Sequence, residues 1–173
     1  MIKHKEQRVG VFVDVQNMYY SAKNLFGSYV NFAKILESAV AGRKLIRAIA
    51  YVIKAQIREE QKFFEALEYQ GYEIKIKDLQ VFAGGIKKGD WDIGIAIDAI
   101  KLSRQLDVVA IVTGDGDFLP LVEYLQYHGL LVESLAFSET ASAKLMEKAD
   151  DFTDLSLNKR RFLINPALKA KSR

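Results

Sequence analysis

The chain has no cysteine and only two histidines, His4 and His128, among its 173 residues. Without cysteine it cannot form disulfides, zinc–thiolate sites or a thiol nucleophile. Two histidines argue against a Ser-His catalytic pair and against a multi-histidine metal site. No apolar run reaches the roughly 20 residues that a membrane-spanning helix needs, and no signal peptide is evident at the N-terminus. We therefore expect a cytoplasmic protein without membrane contact.

Acidic residues are absent from the last part of the chain. Residues 158–173 carry six basic side chains and no acidic one, which leaves 19 basic against 22 acidic side chains in residues 1–157. We predict a domain over residues 1–157 and a basic tail over residues 158–173. Such a tail, with Arg160 and Arg161, suits a polyanion. The alternative is a solubilising terminus.

Half of the residues are hydrophobic and 27% are charged, which predicts one globular domain. Apolar strand-like runs alternate with amphipathic helical segments along the whole sequence. This alternation predicts an α/β protein, a three-layer α/β/α sandwich on a mainly parallel, Rossmann-like sheet. The predicted strands are 9–14, 45–53, 72–77, 108–112, 130–136 and an edge element near 151–155, and the predicted helices are 16–26, 32–41, 59–70, 91–106, 118–128 and 142–148.

The run Val108–Val112 reads as a strand buried on both faces, and it breaks into Thr-Gly-Asp-Gly-Asp. Asp115 and Asp117 thus follow the carboxyl end of a central strand, where open α/β sheets bind ligands. Asp117 is also placed to cap the next helix, with Pro120 tolerated in its first turn. Because Asp and Gly are ordinary turn residues, a purely structural turn is the alternative.

The first predicted strand, from Val9, also ends in an aspartate, Asp14, and Asn17 follows one turn later. If both strands are central and parallel, Asp14 and Asp115 share one edge of the sheet. Asn17 would then support Asp14 through a direct or water-bridged contact. A helix cap is the alternative role for Asp14.

Two more aspartates lie on the predicted helix 91–106. Asp98 falls on the same stripe as apolar residues, and a carboxylate there is costly unless it pairs or binds a cation. A buried salt bridge to a neighbouring Lys or Arg is the alternative. Asp92 lies in the first turn, where the helix dipole already favours an acid, beside the basic loop that contains Lys87 and Lys88. Isoleucines in a second sector predict that most of this helix is buried: Ile93, Ile97 and Ile100.

Five aspartates without cysteine suit a hard cation that prefers oxygen ligands, Mg²⁺ or Mn²⁺. Such ions typically serve phosphate chemistry, in which they activate water and neutralise phosphoryl oxygens.

The same motifs resemble the NYN domain family, the LabA-like or DUF88 group of PIN-like nucleases. The resemblance rests on Val11–Asn17, on Lys88–Asp92 with Asp98-Ala99, and on Val112–Val122, and it extends from about Val9 to Leu155. It implies a PIN-like fold, RNA cleavage and an acidic Mg²⁺ or Mn²⁺ pocket. By the matching motifs the pocket residues would be Asp14, Asp92, Asp98, Asp115 and Asp117, with Asn17 and Thr113 supporting them. Of the five aspartates, Asp14, Asp98, Asp115 and Asp117 are the expected catalytic residues. RNA is then the expected partner, held through Lys87, Lys88, Arg160 and Arg161, and self-association is left open. The family usually has an aliphatic residue in the place of Trp91.

Two functions fit the sequence: a metal-dependent ribonuclease, and a non-catalytic RNA-binding or regulatory module with the same fold. The presence of every expected carboxylate favours the first. Other phosphoryl enzymes fit less well, because no P-loop or dinucleotide fingerprint is present and Asp14-Val15-Gln16 lacks the second Asp of a haloacid-dehalogenase motif. Toprim domains have a glutamate where Asp14 stands. No helix-turn-helix or zinc finger is indicated.

Overall fold

A six-stranded parallel sheet forms the centre of the computed structural model, which describes residues 2–55, 59–85 and 87–165. The strands, in chain order, are β1 (Arg8–Asp14), β2 (Tyr29–Val30), β3 (Lys44–Lys54), β4 (Glu73–Asp78), β5 (Gln80–Val81), β6 (Lys87–Lys88), β7 (Val108–Val112), β8 (Leu131–Ala136), β9 (Asp151–Asp154) and β10 (Leu163–Ile164). Two short antiparallel ribbons, β2 with β10 and β5 with β6, lie outside the central sheet.

The central strands run in the order β4-β3-β1-β7-β8-β9, and each neighbouring pair is parallel. The chain starts in the middle of the sheet, builds one half outward, and then crosses back to build the other half. In sheets with this doubly wound order, the two connections leave β1 and β7 in opposite directions and open a crevice at their carboxyl ends. The topology therefore favours a ligand site between Asp14 and the loop after Val112.

Helices cover both faces of the sheet, and this confirms the predicted three-layer fold. The helices are α1 (Val15–Phe26), α2 (Phe32–Val40), α3 (Glu60–Tyr69), α4 (Asp92–Leu102), α5 (Leu119–Tyr127), α6 (Ala143–Lys148) and α7 (Lys159–Phe162). One apolar core joins Val11 of β1 to α1, α2, α3 and α7. A second core on the other face joins Phe12 to α4, α5 and α6. Successive β1 residues thus serve opposite cores, as the pleat of a strand requires.

The cap at the start of α5 differs from the prediction. A short 3₁₀ turn, Gly116–Phe118, precedes the helix, and Asp115 caps it by accepting a hydrogen bond from the backbone N–H of Asp117 at 2.9 Å. The prediction that Asp117 is the N-cap was therefore wrong, because the tight turn begins two residues earlier. Pro120 does lie in the first turn of α5, as predicted.

Helix α4 is shorter and more exposed than predicted. It ends at Leu102 and continues as a 3₁₀ turn, Ser103–Gln105. The prediction that most of the helix is buried was wrong, since the isoleucines of its outer sector are exposed: Ile93 by 74%, Ile97 by 44% and Ile100 by 37%. Only the stripe with Ile95 and Ala99 packs against the sheet.

The start of the predicted basic tail is folded onto the domain. Asn158 caps α7, Phe162 is buried in the core beside α2, and β10 pairs with β2. The folded part therefore extends past the predicted boundary at residue 157, because Phe162 supplies apolar surface to the core. The basic residues after Asn165 lie outside the described part of the chain.

A buried ion pair fixes the amino-terminal end of the sheet. The guanidinium of Arg43 donates two hydrogen bonds of 2.8 Å to the carboxylate of Glu133 in β8, and it also donates to the carbonyl of Ala39 at 2.8 Å. The side chains of Arg43 and Glu133 are 1% and 3% exposed. This pair ties the segment that follows α2 to β8, the strand next to the edge strand β9. Within the described residues, no helix combines the length and the apolar character that crossing a membrane requires.

Candidate active site

An acidic cleft of about 300 Å³ opens at the carboxyl ends of β1 and β7. It lies where the strand order reverses, as expected for a doubly wound sheet. One wall consists mainly of aspartates from β1, from the β7–α5 loop and from the start of α4. The opposite wall is formed by α1 and by the loop that follows β8. The lining residues are Asp14, Gln16, Asn17, Tyr20, Ser21, Asn24, Asp90, Asp92, Asp115 and Thr140.

Asp14 is the most deeply placed carboxylate of the cleft. It ends β1 and caps α1, and its Oδ1 accepts a hydrogen bond from the Asn17 backbone N–H at 3.2 Å. Its Oδ2 lies 3.4 Å from the Thr113 hydroxyl. Burial raises the pKa of Asp14 to about 6, and the negative charges of Asp92 and Asp115 add to the rise, although the two hydrogen bonds oppose it. The folded protein therefore holds this group ionised near neutral pH only at a cost in free energy.

Asn17 and Thr113 position the loop that carries the other carboxylates. The Asn17 side-chain oxygen accepts a hydrogen bond of 3.1 Å from the Gly114 backbone N–H. The fully buried Thr113 accepts a hydrogen bond of 3.2 Å from the Asp115 N–H through its hydroxyl oxygen, and the same hydroxyl contacts Asp14. These bonds join the end of β1 to the end of β7. Both residues thus take the supporting positions expected of them.

The two glycines of the β7–α5 loop permit a close approach of the loop that follows β8. A Cβ atom on Gly114 would lie 2.9 Å from the Ala141 Cα, and one on Gly116 would lie 2.8 Å from the Ser142 hydroxyl. Contacts this short exclude any side chain unless the loops separate. The Ser142 N–H also donates to the Gly114 carbonyl at 2.9 Å. Close packing, and not positive φ, thus explains the glycines in this motif.

Asp92, Asp115 and Asp117 converge at the mouth of the cleft. Each offers one carboxylate oxygen, and the three oxygens lie within 4.8 Å of one another. Partial burial raises the pKa of Asp92, and the charges of Asp115, Asp90 and Asp117 add to this effect, while Lys77 opposes it. Together with Asp14, which lines the same cleft, four of the five aspartates predicted to bind metal come together.

Asp98 lies elsewhere. It follows Asp92 by six residues, which is about 9 Å along a helix and about 240° around its axis. Its Oδ2 accepts hydrogen bonds from the Tyr51 hydroxyl at 2.8 Å and from the Lys75 ammonium at 2.6 Å. Burial works to raise the pKa of Asp98, but these two bonds outweigh it, and the pKa lies below its ordinary value. The structure thus gives Asp98 the ion pair that the sequence left as its alternative, outside the group of three carboxylates.

The predicted basic residues occupy different parts of the molecule. The β6 backbone places Lys87 and Lys88 in a ribbon with β5, shortly before Asp92, and their side chains lie outside the described atoms. Arg160 is exposed on α7, and the Arg161 guanidinium lies 3.5 Å from Glu37 of α2. Since Lys159 of α7 lies over the ring of Phe26, the last residue of α1, this basic group is about 18 Å along α1 from Asp14.

Sequence reasoning missed several residues of the cleft. Lys77 of β4 donates to the Asp90 carbonyl at 2.8 Å and lies 4.5 Å from the Trp91 ring centroid, so a cation stands beside the acidic wall. Three further residues of α1 line the cleft and follow the predicted Asn17 at helical spacing: Tyr20, Ser21 and Asn24. That spacing is a signal the sequence contains, since positions i, i+3, i+4 and i+7 share one helix face. Thr140 has no such signal.

Comparison with known proteins gives consistent results. The NYN domain model matches residues 8–157. The chain is 26% identical over 161 residues to the low amplitude and bright protein LabA of Synechococcus elongatus, covering 88% of this chain and 86% of that protein. It is 28% identical over 153 residues to an uncharacterized protein of Methanocaldococcus jannaschii, covering 84% of this chain and 54% of that one. A crystal structure of a protein of unknown function from Vibrio parahaemolyticus superposes with a TM-score of 0.84 at 30% identity, covering 95% of this chain and all of that chain.

Proposed function

The chain belongs to the NYN domain family, and on that premise we propose that it is a metal-dependent ribonuclease that hydrolyses RNA phosphodiesters in the acidic cleft. The family lies in the PIN-like nuclease superfamily, and the doubly wound sheet with its acidic crevice fits that group. The single observation that carries the proposal is the convergence of Asp92, Asp115 and Asp117 next to Asp14.

The donor set suits Mg²⁺ or Mn²⁺. The three carboxylate oxygens within 4.8 Å of one another are hard ligands, and the sequence offers no thiolate to attract a softer ion. Burial raises the pKa values of Asp14 and Asp92, and repulsion from the neighbouring carboxylates adds to the rise. A divalent cation relieves that repulsion, so we assign Asp92, Asp115 and Asp117 as ligands, with Asp14 completing the site.

A cation held here would lower the pKa of a bound water and neutralise charge on the phosphoryl oxygens. The protein groups have separate tasks. Thr113 and the Asn17 N–H hold the Asp14 carboxylate in one orientation. Asp115 keeps its own turn closed through the Asp117 N–H, which presents both carboxylates on the same side of the loop. Asp98 holds Lys75 and Tyr51 outside the group of three carboxylates, and we do not propose it as a metal ligand.

Substrate phosphates need cations beside the acidic cleft, because the aspartates repel a polyanion. Lys77 lies at the rim next to Asp90 and Trp91. Lys87 and Lys88 belong to the ribbon that leads into the same corner, and we retain them as phosphate contacts. Arg160 lies at the far end of α1 and would contact a longer RNA.

The test compares Asp115→Asn with Asp107→Asn on a labelled single-stranded RNA, in Mn²⁺ and in EDTA. Asp107 precedes the five-residue strand β7 and Asp115 follows it, so the two residues are about 16 Å apart or more. Asp107 pairs with Arg8 at the amino-terminal end of the central strands. We expect the wild type and Asp107→Asn to cleave in Mn²⁺ and not in EDTA. Asp115→Asn should cleave at least about 100-fold more slowly, because several kcal/mol of charge stabilisation depend on the cation.

The alternative function is a non-catalytic RNA-binding or regulatory module. It would be supported if the wild type bound RNA but cleaved none in Mn²⁺ or Mg²⁺. Cleavage retained by Asp115→Asn at the wild-type rate would contradict the proposed site. Thermal melts complete the comparison, since only a protein that binds the cation gains stability from it.

A further inference from the structure

The cleft wall formed by α1 differs in chemistry from the acidic wall. It presents neutral polar side chains, together with one aromatic residue, Tyr20. Tyr20 is 50% exposed although it lines the cleft, while Met18 and Ala22 on the opposite side of α1 are completely buried. The ring therefore contributes little to the core. Tyr20 is distinguished from the other tyrosines by its place in the cleft, and not by its packing.

The orientation of Tyr20 is defined by a neighbouring ring. The Tyr19 and Tyr20 ring centroids lie 5.5 Å apart with an angle of 75° between their planes, and Tyr19 also stacks on Tyr29 at 6.4 Å. The Lys23 ammonium lies 5.7 Å from the Tyr19 centroid. An edge-to-face contact of this kind is favourable for aromatic pairs and limits the motion of both rings. Tyr20 is thus an oriented aromatic surface that half faces solvent.

The separation of Tyr20 from Asp14 along α1 matches a short stretch of nucleic acid. Tyr20 follows Asp14, the residue that caps α1, by six positions, which is about 9 Å along the helix. Successive bases of a stacked strand are about 3.4 Å apart, so the separation is about two to three nucleotides. A strand with its phosphate at the aspartates therefore has a base within reach of Tyr20.

We propose that Tyr20 is a stacking platform for an unpaired base near the phosphodiester held by the aspartates. This inference rests on the proposed function and specifies the form of its substrate. A base in a duplex is already stacked and paired, so only a single-stranded segment presents a free face to the ring. Asn24, one turn further along the same face, offers both donor and acceptor groups to base edges. Since every base has a π-face, the platform tolerates many sequences.

The test measures binding of a fluorescein-labelled RNA 12-mer by anisotropy, in Ca²⁺ to limit turnover, together with cleavage in Mn²⁺. A set of the same strand, each with one base removed, locates the stacked position. The variants are Tyr20→Ala, Tyr20→Leu and Tyr20→Phe. The matched control is Tyr69→Ala, since Tyr69 is 95% exposed at the end of α3. Thermal melts verify that every variant is folded.

We expect Tyr20→Ala and Tyr20→Leu to bind the intact strand roughly 5- to 150-fold more weakly, the range for losing one stacked base. Tyr20→Phe and Tyr69→Ala should bind as the wild type does. Removing one particular base should weaken the wild type by a similar factor and leave Tyr20→Ala unaffected, because the stacking partner is already lost.

The outcomes separate this inference from the proposed function. The platform is rejected if Tyr20→Ala binds RNA as tightly as Tyr69→Ala does. It is also rejected if removal of a base weakens binding by Tyr20→Ala as much as binding by the wild type at every position. In both cases metal-dependent cleavage by the wild type would still support the nuclease. If stacking is lost as expected but no protein cleaves in Mn²⁺, the nuclease is rejected and the platform stands. A wild type that neither binds nor cleaves single-stranded RNA rejects both.

Discussion

Replacing Asp14 by Asn should stabilise the metal-free protein, and the gain should depend on pH. Asn has nearly the same size as Asp and keeps an oxygen that accepts from the Asn17 N–H. Its amide can donate to the Thr113 hydroxyl, which now lies 3.4 Å from the carboxylate. The substitution therefore removes the charge while it leaves the local packing in place.

The expected magnitude follows from the pKa of Asp14, which rises from the ordinary value of 3.8 to about 6. Since one pKa unit corresponds to about 1.4 kcal/mol, the folded state loses about 3 kcal/mol when this group ionises. The folded protein holds the proton of Asp14 more tightly than the unfolded chain does. The stability that the protonated carboxyl contributes is therefore fully present below pH 3.8. Stability falls as pH rises from about 4 through about 6. Asn has no proton to lose and escapes this decline.

The assay is urea unfolding at pH values from 4 to 8, with EDTA present throughout. We expect wild type and Asp14→Asn to differ little at pH 4, and the variant to be more stable by up to about 3 kcal/mol at pH 8. Asp107→Asn is the control with the opposite sign. Hydrogen bonds from Arg8 lower the pKa of Asp107, so its replacement should reduce stability at neutral pH. Neither variant should change the slope of unfolding free energy against urea.

Two results would refute this reasoning. A variant less stable than the wild type at pH 8 would mean that the hydrogen bonds of the Asp14 carboxylate outweigh its burial and the repulsion from Asp92 and Asp115. A stability difference that is the same at pH 4 and pH 8 would mean that the charge of Asp14 is not involved. Either result would also weaken the case for a cation, because relief of repulsion is what favours its binding.

Three further predictions test other parts of the structure. Asp98→Asn should reduce stability by about 1–3 kcal/mol, since a charged hydrogen-bonded pair is lost, and cleavage should follow the folded fraction; a fully folded variant with no activity would restore Asp98 to the site. Glu133→Gln should lower the free energy of unfolding by about 3–5 kcal/mol in urea titrations because it leaves the Arg43 guanidinium buried without a counter-charge, and a loss below about 1 kcal/mol would show that the pair is dispensable. The double variant Lys87→Ala and Lys88→Ala should weaken RNA binding and flatten its dependence on salt, whereas an unchanged salt slope would reject both residues as phosphate contacts.

Sequence alone determined the six strands of the central sheet and, to about one residue, where they end. The run Val108–Val112 is uniformly apolar, so it had to be buried on both faces. Alternation with helices required parallel strands, and parallel strands place their carboxyl ends together. From these facts the placement of Asp14 and Asp115 at the carboxyl ends of two neighbouring parallel strands was predicted correctly.

Tertiary structure decided which polar residues meet. Periodicity placed Asp98 on an apolar stripe of α4, but it could not distinguish a cation site from an ion pair, because Lys75 lies in β4, 23 residues earlier. The exposure of Ile93 likewise depends on how much of α4 the sheet covers. The contact of Asp98 and the exposure of Ile93 both depend on how distant segments of the chain pack together. Local sequence patterns do not encode that packing.

The same limit applies to the cleft wall opposite the aspartates. The helical spacing of Asn17, Tyr20 and Asn24 was visible in the sequence, yet it defines only a helix face. That this face turns toward the aspartates follows from the packing of Met18 and Ala22 into the core. The burial of one side of α1 orients the other side, and only the assembled layers determine what the exposed side meets.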